Sequence, residues 1–143
     1  MKRHPQLQDL SREHHGALKL ARAARQAAEA GAADKLATIA ERIAHLFAVE
    51  LDPHFRVEEQ GLLATLAQAG EHALVQRTLD EHTQLRRLVA DLAAPDGATL
   101  LRFADLLAAH VRFEERELFE TAQGHLATGP AGTDPMRTQP ARP

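Results

Sequence analysis

The sequence predicts an all-α protein, folded as an antiparallel up-down-up-down four-helix bundle. Three observations predict it. Four long segments carry apolar residues at the three- and four-residue spacing of a buried helix face, and Gly or Pro bounds each one. The composition is rich in Ala and Leu and poor in β-branched residues, which favours helix over strand. The breaks at about residues 30 to 33 and 95 to 97 are short, and short connections force neighbouring helices to run antiparallel. A chain of 143 residues is one domain, long enough to bury a core.

The first helix is expected from about Gln8 to Glu29, with the stripe Leu7, Leu10, His14, Leu18 and Ala21, and with Gly31 to stop it. The second begins near Asp34, read as an N-cap, and runs to about Ala69 before Gly70. Its stripe is Leu36, Ile39, Ile43, Phe47, Leu51, His54, Glu58 and Leu62. Pro53 interrupts it and should kink it one residue before His54. The third runs from about Glu71 to Ala94, with Val75, Leu79, His82, Leu85, Val89 and Leu92 inward. Pro95-Asp96-Gly97 is a turn. The fourth runs from about Ala98 to Gln123, with Phe103, Leu107, His110, Glu114 and Leu118 inward, and Gly124 ends it. The bundle accounts for residues 1–126. Residues 127–143, rich in Gly, Pro and Thr, are expected to be a disordered tail.

Two segments repeat one another: His54-Phe55-Arg56-Val57-Glu58-Glu59 and His110-Val111-Arg112-Phe113-Glu114-Glu115. Both are H-x-x-x-E followed by a second Glu. Residues four apart lie one turn apart on one helix face, so each segment aims an imidazole and a carboxylate at one place. The other two helices carry Glu13-His14, with His15 following, and Glu81-His82. His14 shares the stripe with Leu10, Ala17, Leu18 and Ala21, whereas His15 has Leu18 three residues on, so both stay open as the first-helix ligand, with the phase favouring His14. The ordinary readings are a core histidine with a satisfied hydrogen bond, or an i,i+4 ion pair on a wet helix. Repetition in two helices, joined by two further stripe histidines, favours a buried metal site.

The candidate metal ligands are therefore His14 or His15, His54, Glu58, His82, His110 and Glu114. Imidazole and carboxylate suit iron, manganese or zinc and do not select copper(I). Glu58 and Glu114, one from each half of the repeat, are placed to bridge two metals. Glu13, Glu50, Glu59 and Glu81 are candidates to orient the imidazoles from outside. With unperturbed groups, protons should displace the metal near pH 6.5 at the imidazoles and near 4.3 at the carboxylates. His4, His45, His72 and His125 are read as ordinary histidines, the phenylalanines as core and site lining, and Arg56 and Arg112 as facing solvent or an acid.

Composition excludes much else. There is no Cys, so no disulfide, thiolate nucleophile or iron–sulfur ligand, and no Tyr or Trp to support a radical. The net charge is −3 with no basic face for nucleic acid. No apolar run reaches membrane-spanning length and the start has no signal-peptide character, so the cytoplasm is the expected location.

At Ser11-Arg12-Glu13-His14-His15, Pro53 to Glu59, Glu81-His82-Thr83-Gln84-Leu85 and His110 to Glu115, the chain resembles the hemerythrin-like, or HHE cation-binding, family over about residues 7 to 123. The resemblance implies a four-helix bundle with a non-heme site of two carboxylate-bridged iron ions. It also implies dioxygen or a related small molecule as partner. Roles known in the family span oxygen carriage or storage, oxygen, redox and iron sensing, and nitric oxide handling. The chain departs from the oxygen-carrying members, which have H-x-x-x-H on the third helix. Here Thr78 and Arg86 stand four residues either side of His82. Those members also place an Asp five after the fourth-helix His, where this chain offers Glu114 and Glu115. One imidazole fewer argues against reversible carriage. Three readings follow: a di-iron protein binding a small oxidant for sensing, storage or detoxification; an enzyme acting on peroxide or nitric oxide; and a metal-stabilised structural or interaction domain.

Overall fold

The computed structural model describes residues 3–127, and these are helical almost throughout, with no strand among them. There are four long helices. Helix α1 is Pro5–Ala30, α2 covers 33–68, α3 is His72–Asp91 and α4 covers 97–127. Of the tail expected over residues 127–143, Ala127 is the last residue of α4, and residues 128–143 lie outside the described residues.

Local chemistry sets the ends. Pro5 opens α1, and His4 Nδ1 accepts a hydrogen bond from Gln6 N at 3.2 Å. Gly31 closes it at φ 73°, a left-handed conformation that favours glycine, and donates to Ala27 O. The start of α2 differs from expectation. Ala32 holds the cap position without a side-chain bond, and Asp34 lies inside the first turn, where its charge meets the positive end of the helix dipole. Gly70, at φ 89°, terminates α2, with Glu71 N donating back to Leu66 O at 2.9 Å. Asp96 caps α4 by accepting from both N and Oγ1 of Thr99. Gly124 does not end α4. The helix runs on to Ala127, because a glycine with ordinary helical dihedrals costs little near a terminus.

Three π-helical turns interrupt the long helices, and the sequence reading did not foresee them. They are Phe47–Leu51, Glu58–Leu62 and Glu114–Leu118. In each, the residue after the turn donates five residues back: Asp52 to Phe47, Leu63 to Glu58 and Phe119 to Glu114. The first turn closes immediately before Pro53, so the break expected at the proline is a widened turn in a continuous helix. The other two begin at the stripe carboxylates. The added residue resets the phase identically in both. Leu62, Leu63 and Leu66 are buried after Glu58, and Leu118, Phe119 and Ala122 after Glu114.

The helices contact their neighbours in a ring: α1 meets α2 and α4, and α3 meets α2 and α4. The α1–α4 seam is the closest. Small buried residues, Ala17, Ala21 and Ala24 of α1 and Ala104 of α4, belong to the same core cluster and leave room for the two backbones to approach. The core of α1 uses Ala17, Leu20, Ala21 and Ala24, with Leu18 only half-buried at its edge. Two apolar clusters fill the bundle. One contains Ile43, Phe55, Leu100, Phe103 and Leu107, the other Leu7, Leu10, Leu66, Leu118 and Phe119. His14, His54, Glu58, His82, His110 and Glu114 are all buried with them.

Candidate metal centre

Burial of these six groups needs a physical reason. A carboxylate in an apolar interior costs several kcal/mol unless it is paired. Glu58 and Glu114 are both fully buried. Their partners are the imidazoles. His54 Nε2 lies 3.1 Å from Glu58 Oε2, and His82 Nε2 lies 3.0 Å from Glu58 Oε1. His14 Nε2 lies 2.8 Å from Glu114 Oε1, and His110 Nε2 lies 3.0 Å from Glu114 Oε2. Glu58 thus turns one oxygen toward His54 and the other toward His82, and Glu114 turns one toward His14 and His54 and the other toward His82 and His110. Donor atoms of His14, His54, Glu58 and Glu114 all lie within 4.8 Å of one another. So do those of Glu58, His82, His110 and Glu114. The two groups share both carboxylates.

The contact of His14 with Glu114 is a hydrogen bond, and the other three are close without being good ones. Nε2 of His54, His82 and His110, both oxygens of Glu58 and Oε2 of Glu114 have no hydrogen-bond partner among the described residues. Six orphaned buried atoms converging on one point suit a pair of cations, which take lone pairs from all sides.

The outer edge of each imidazole is fixed. Nδ1 of His54 meets Glu13 at 2.6 Å, that of His82 meets Glu59 at 2.7 Å, that of His110 meets Glu81 at 2.7 Å and that of His14 meets Glu115 at 2.7 Å. With Nδ1–H donating outward, the Nε2 lone pair faces the centre. Three of these carboxylates match expectation. Glu50 does not, because it touches no imidazole and instead lines an opening between α1 and α2. Glu115 was weighed in sequence only as a substitute for Glu114. The signal that could have found it is its parallel with Glu59, each being the residue after a stripe Glu. His15, the alternative to His14, is exposed and belongs to neither group. Its neighbour in sequence takes the inward position because one step along a helix turns a side chain by more than a quarter circle.

Electrostatics follow the geometry. Burial disfavours a charged imidazole at His54, but the Glu114 and Glu58 carboxylates outweigh it and raise that group to about 11. At His110 the same contest, won by Glu114, gives about 10. His14 and His82 are also raised against burial, His14 by Glu114 and Glu115, His82 by Glu114 and Glu58. Burial and the Glu114 charge raise Glu58. Burial also acts against the Glu114 charge, yet His110, His14 and His54 hold that carboxyl below the usual range. Protons therefore compete for His54 and His110 far above the reference value of 6.5 expected from sequence, and for His14 and His82 above it.

Phenyl rings cover the site. Phe55 stacks on His82 with centroids 3.9 Å apart, and Phe119 lies parallel to His14 at 5.3 Å. Thr78, one turn before His82, is fully buried and donates to Leu74 O, so its hydroxyl is occupied within its own helix. Arg86, one turn after, points outward and forks onto Glu59 at 2.9 and 3.2 Å. Among the ordinary histidines, His45 and His72 are exposed and His125 pairs with Glu71 at 2.9 Å.

No helix among the described residues is long and apolar enough to cross a membrane. Neither the curated proteins nor the solved structures include a significant match to the chain. The family model of the hemerythrin HHE cation-binding domain matches residues 6–122, which takes in all four helices and all six converging side chains. The chain belongs to the hemerythrin HHE cation-binding domain family.

Proposed function

We propose that this is a non-heme di-iron protein that binds dioxygen or a related small oxidant, for sensing, storage or detoxification. One observation carries the reading: Glu58 and Glu114 each divide their two oxygens between two pairs of imidazoles. His14 and His54 would hold one cation, His82 and His110 the other, and the two carboxylates would bridge them. Bound there, an iron pair supplies a redox-active centre with coordination positions left open to a small ligand. The chain's own part is to aim Nε2 of each imidazole inward, by holding Nδ1 outward on Glu13, Glu59, Glu81 and Glu115, and to exclude bulk water with Phe55 and Phe119. The ring of helix contacts and the short connections support the up-down-up-down order.

Metal analysis and an absorption spectrum of protein purified aerobically from iron-replete cells test this together. The expected result is about two iron per chain, one cation for each group of four donors, with near-ultraviolet absorption from a bridged ferric pair. Protein that reproducibly carries no metal, or only zinc, would overturn it. Steady-state turnover with peroxide or nitric oxide would move the function to the enzyme reading.

A further inference from the structure

The four imidazoles are not supported equally. Three of them share a repeated arrangement: a carboxylate on Nδ1, a phenyl ring nearby, and one arginine that serves both. At His82 the carboxylate is Glu59, and Arg86 forks onto it at 2.9 and 3.2 Å while also bonding Asp52 at 2.8 Å. The same guanidinium lies 5.6 Å from the centre of Phe55, the ring stacked on His82. At His110 the carboxylate is Glu81. Arg77 bonds it at 3.1 Å and lies 3.9 Å over Phe113, whose ring is 6.4 Å from that of His110. At His14 the support is looser. Arg3 stands 3.6 Å from Glu115 and 5.8 Å from Phe119.

His54 has a carboxylate on Nδ1 but no arginine behind it among the described residues. Its carboxylate, Glu13, has a side chain 60% exposed. No arginine pairs with Glu13 among the described residues, and the adjacent Arg12 pairs with Asp9 instead. The nearest phenyl, Phe55, meets His54 edge-on at 6.1 Å and is already committed to His82. A cavity of about 350 Å³ opens at this place between α1 and α2. Glu13, Glu50 and the exposed Val49 and Val57 border it, and it reaches His14, His54 and His110 but not His82.

An imidazole holds a metal well when its orientation is fixed beforehand, and outer partners typically contribute 10- to 100-fold in affinity. A bidentate arginine–carboxylate pair fixes orientation better than a lone exposed carboxylate, whose side chain is free to leave. We infer that the two cation positions are inequivalent. The position between His82 and His110 is retained, with Arg86 and Arg77 as its positioning residues. The position between His14 and His54 exchanges its cation through the opening between α1 and α2. This rests on the two-cation reading above.

The test uses the full chain loaded with two equivalents of cobalt(II), followed by its visible absorption after excess chelator is added. Wild type should lose cobalt in two phases of about one equivalent each, with rates at least about tenfold apart. R86Q should accelerate the slow phase about tenfold and leave the fast phase in place, and R77Q should do the same. E13Q should accelerate the fast phase only. Melting each metal-free variant separates a positioning effect from loss of fold, and R86K, which keeps the charge but not the fork, should lie between wild type and R86Q. A single release phase in wild type, or R86Q and R77Q acting on the fast phase or on both alike, would overturn the inequivalence. A wild-type chain that takes up no second equivalent would defeat the two-cation reading instead, and this inference with it.

Discussion

Without metal, the centre must satisfy itself with protons, and this gives the bundle a pH dependence of unusual sign. His54 and His110 have folded-state values of about 11 and about 10, against an ordinary value of 6.5. A group whose pKa is raised on folding contributes all its stability below the unfolded value. That contribution is lost as pH rises through the folded one. The metal-free protein should therefore be most stable near pH 6.5 and weaken steadily toward pH 10. Each such group contributes up to about 1.4 kcal/mol per pH unit in that window, so these two together contribute up to about 3 kcal/mol per unit. Two units then approach the whole 5–15 kcal/mol that holds a typical domain together. For a chain of this size the melting temperature should fall by up to about 10 °C per pH unit. Glu114, held below the usual range, is ionised across this window and adds no slope to it.

Loaded protein should behave oppositely. A cation takes the place of the protons, so binding at neutral pH releases them, about one each from His54 and His110 with a further share from the raised His14 and His82. Affinity accordingly grows with pH until the imidazoles are neutral, and bound metal stabilises by mass action. The assay is thermal melting with and without chelator at pH 6.5, 7.5, 8.5 and 9.5, with a pH indicator dye to count protons on metal addition. The gap between the two curves should widen with pH. A gap that stays constant or narrows would refute the reasoning, as would a metal-free protein that grows more stable from pH 6.5 to 9.5. Either result would mean that the carboxylates do not draw protons onto the imidazoles.

Other expectations are more local. Replacing Glu58 with Gln should reduce bound metal from two equivalents to about one or fewer, because a shared ligand is lost. Glu59→Gln should keep both equivalents and weaken affinity about tenfold or more by freeing His82, which isothermal titration would resolve. Phe55→Ala should cost about 3–5 kcal/mol in denaturant unfolding even with chelator present, since it empties a fully packed position. Gly31→Ala should destabilise by about 1 kcal/mol because of its left-handed backbone. Gly16→Ala, helical and with open space at the added carbon, should stabilise by about 0.5–1 kcal/mol in the same assay.

The parts of the molecule that depend on periodicity were legible. Stripe residues such as Ile43, Leu107 and Leu118 are buried where the spacing put them, and all four helices appear. Inward placement of the six polar side chains was legible for the same reason, because each falls in phase with its apolar neighbours. What escaped has no periodic signal. A π-helical turn is an insertion of one residue, visible only as a phase shift after it. Leu62 fits the stripe as written from Glu58, but the joint burial of Leu63 and Leu66 shows the slip. Arg86 was noted only as a residue that was not histidine. Its fork onto Glu59 joins α3 to α2, and a contact between helices far apart in sequence leaves no mark on either one. Asp34 misled because an acidic residue suits both the cap and the first turn, and the helix starts two residues earlier, with Ala32 at the cap.

The order of acids and imidazoles along the chain becomes intelligible once the helices are arranged in a ring. Helix α1 presents Glu13 to His54 of α2. Helix α2 presents Glu59 to His82 of α3, α3 presents Glu81 to His110 of α4, and α4 presents Glu115 back to His14 of α1. No imidazole is oriented by its own helix. This explains why the carboxylate directly precedes the histidine on α1 and α3 but lies five residues beyond it on α2 and α4, as the exposed side of each helix must serve the next one round. It also explains why an H-x-x-x-E segment alone says so little, since half of what positions its imidazole belongs to another helix. The consequence is thermodynamic. The imidazoles acquire their inward aim only when all four helices have met, so an unfolded or half-assembled chain holds no prepared site. Cation binding then draws directly on the free energy of closing the bundle, and each change at the ring should appear in both metal affinity and stability.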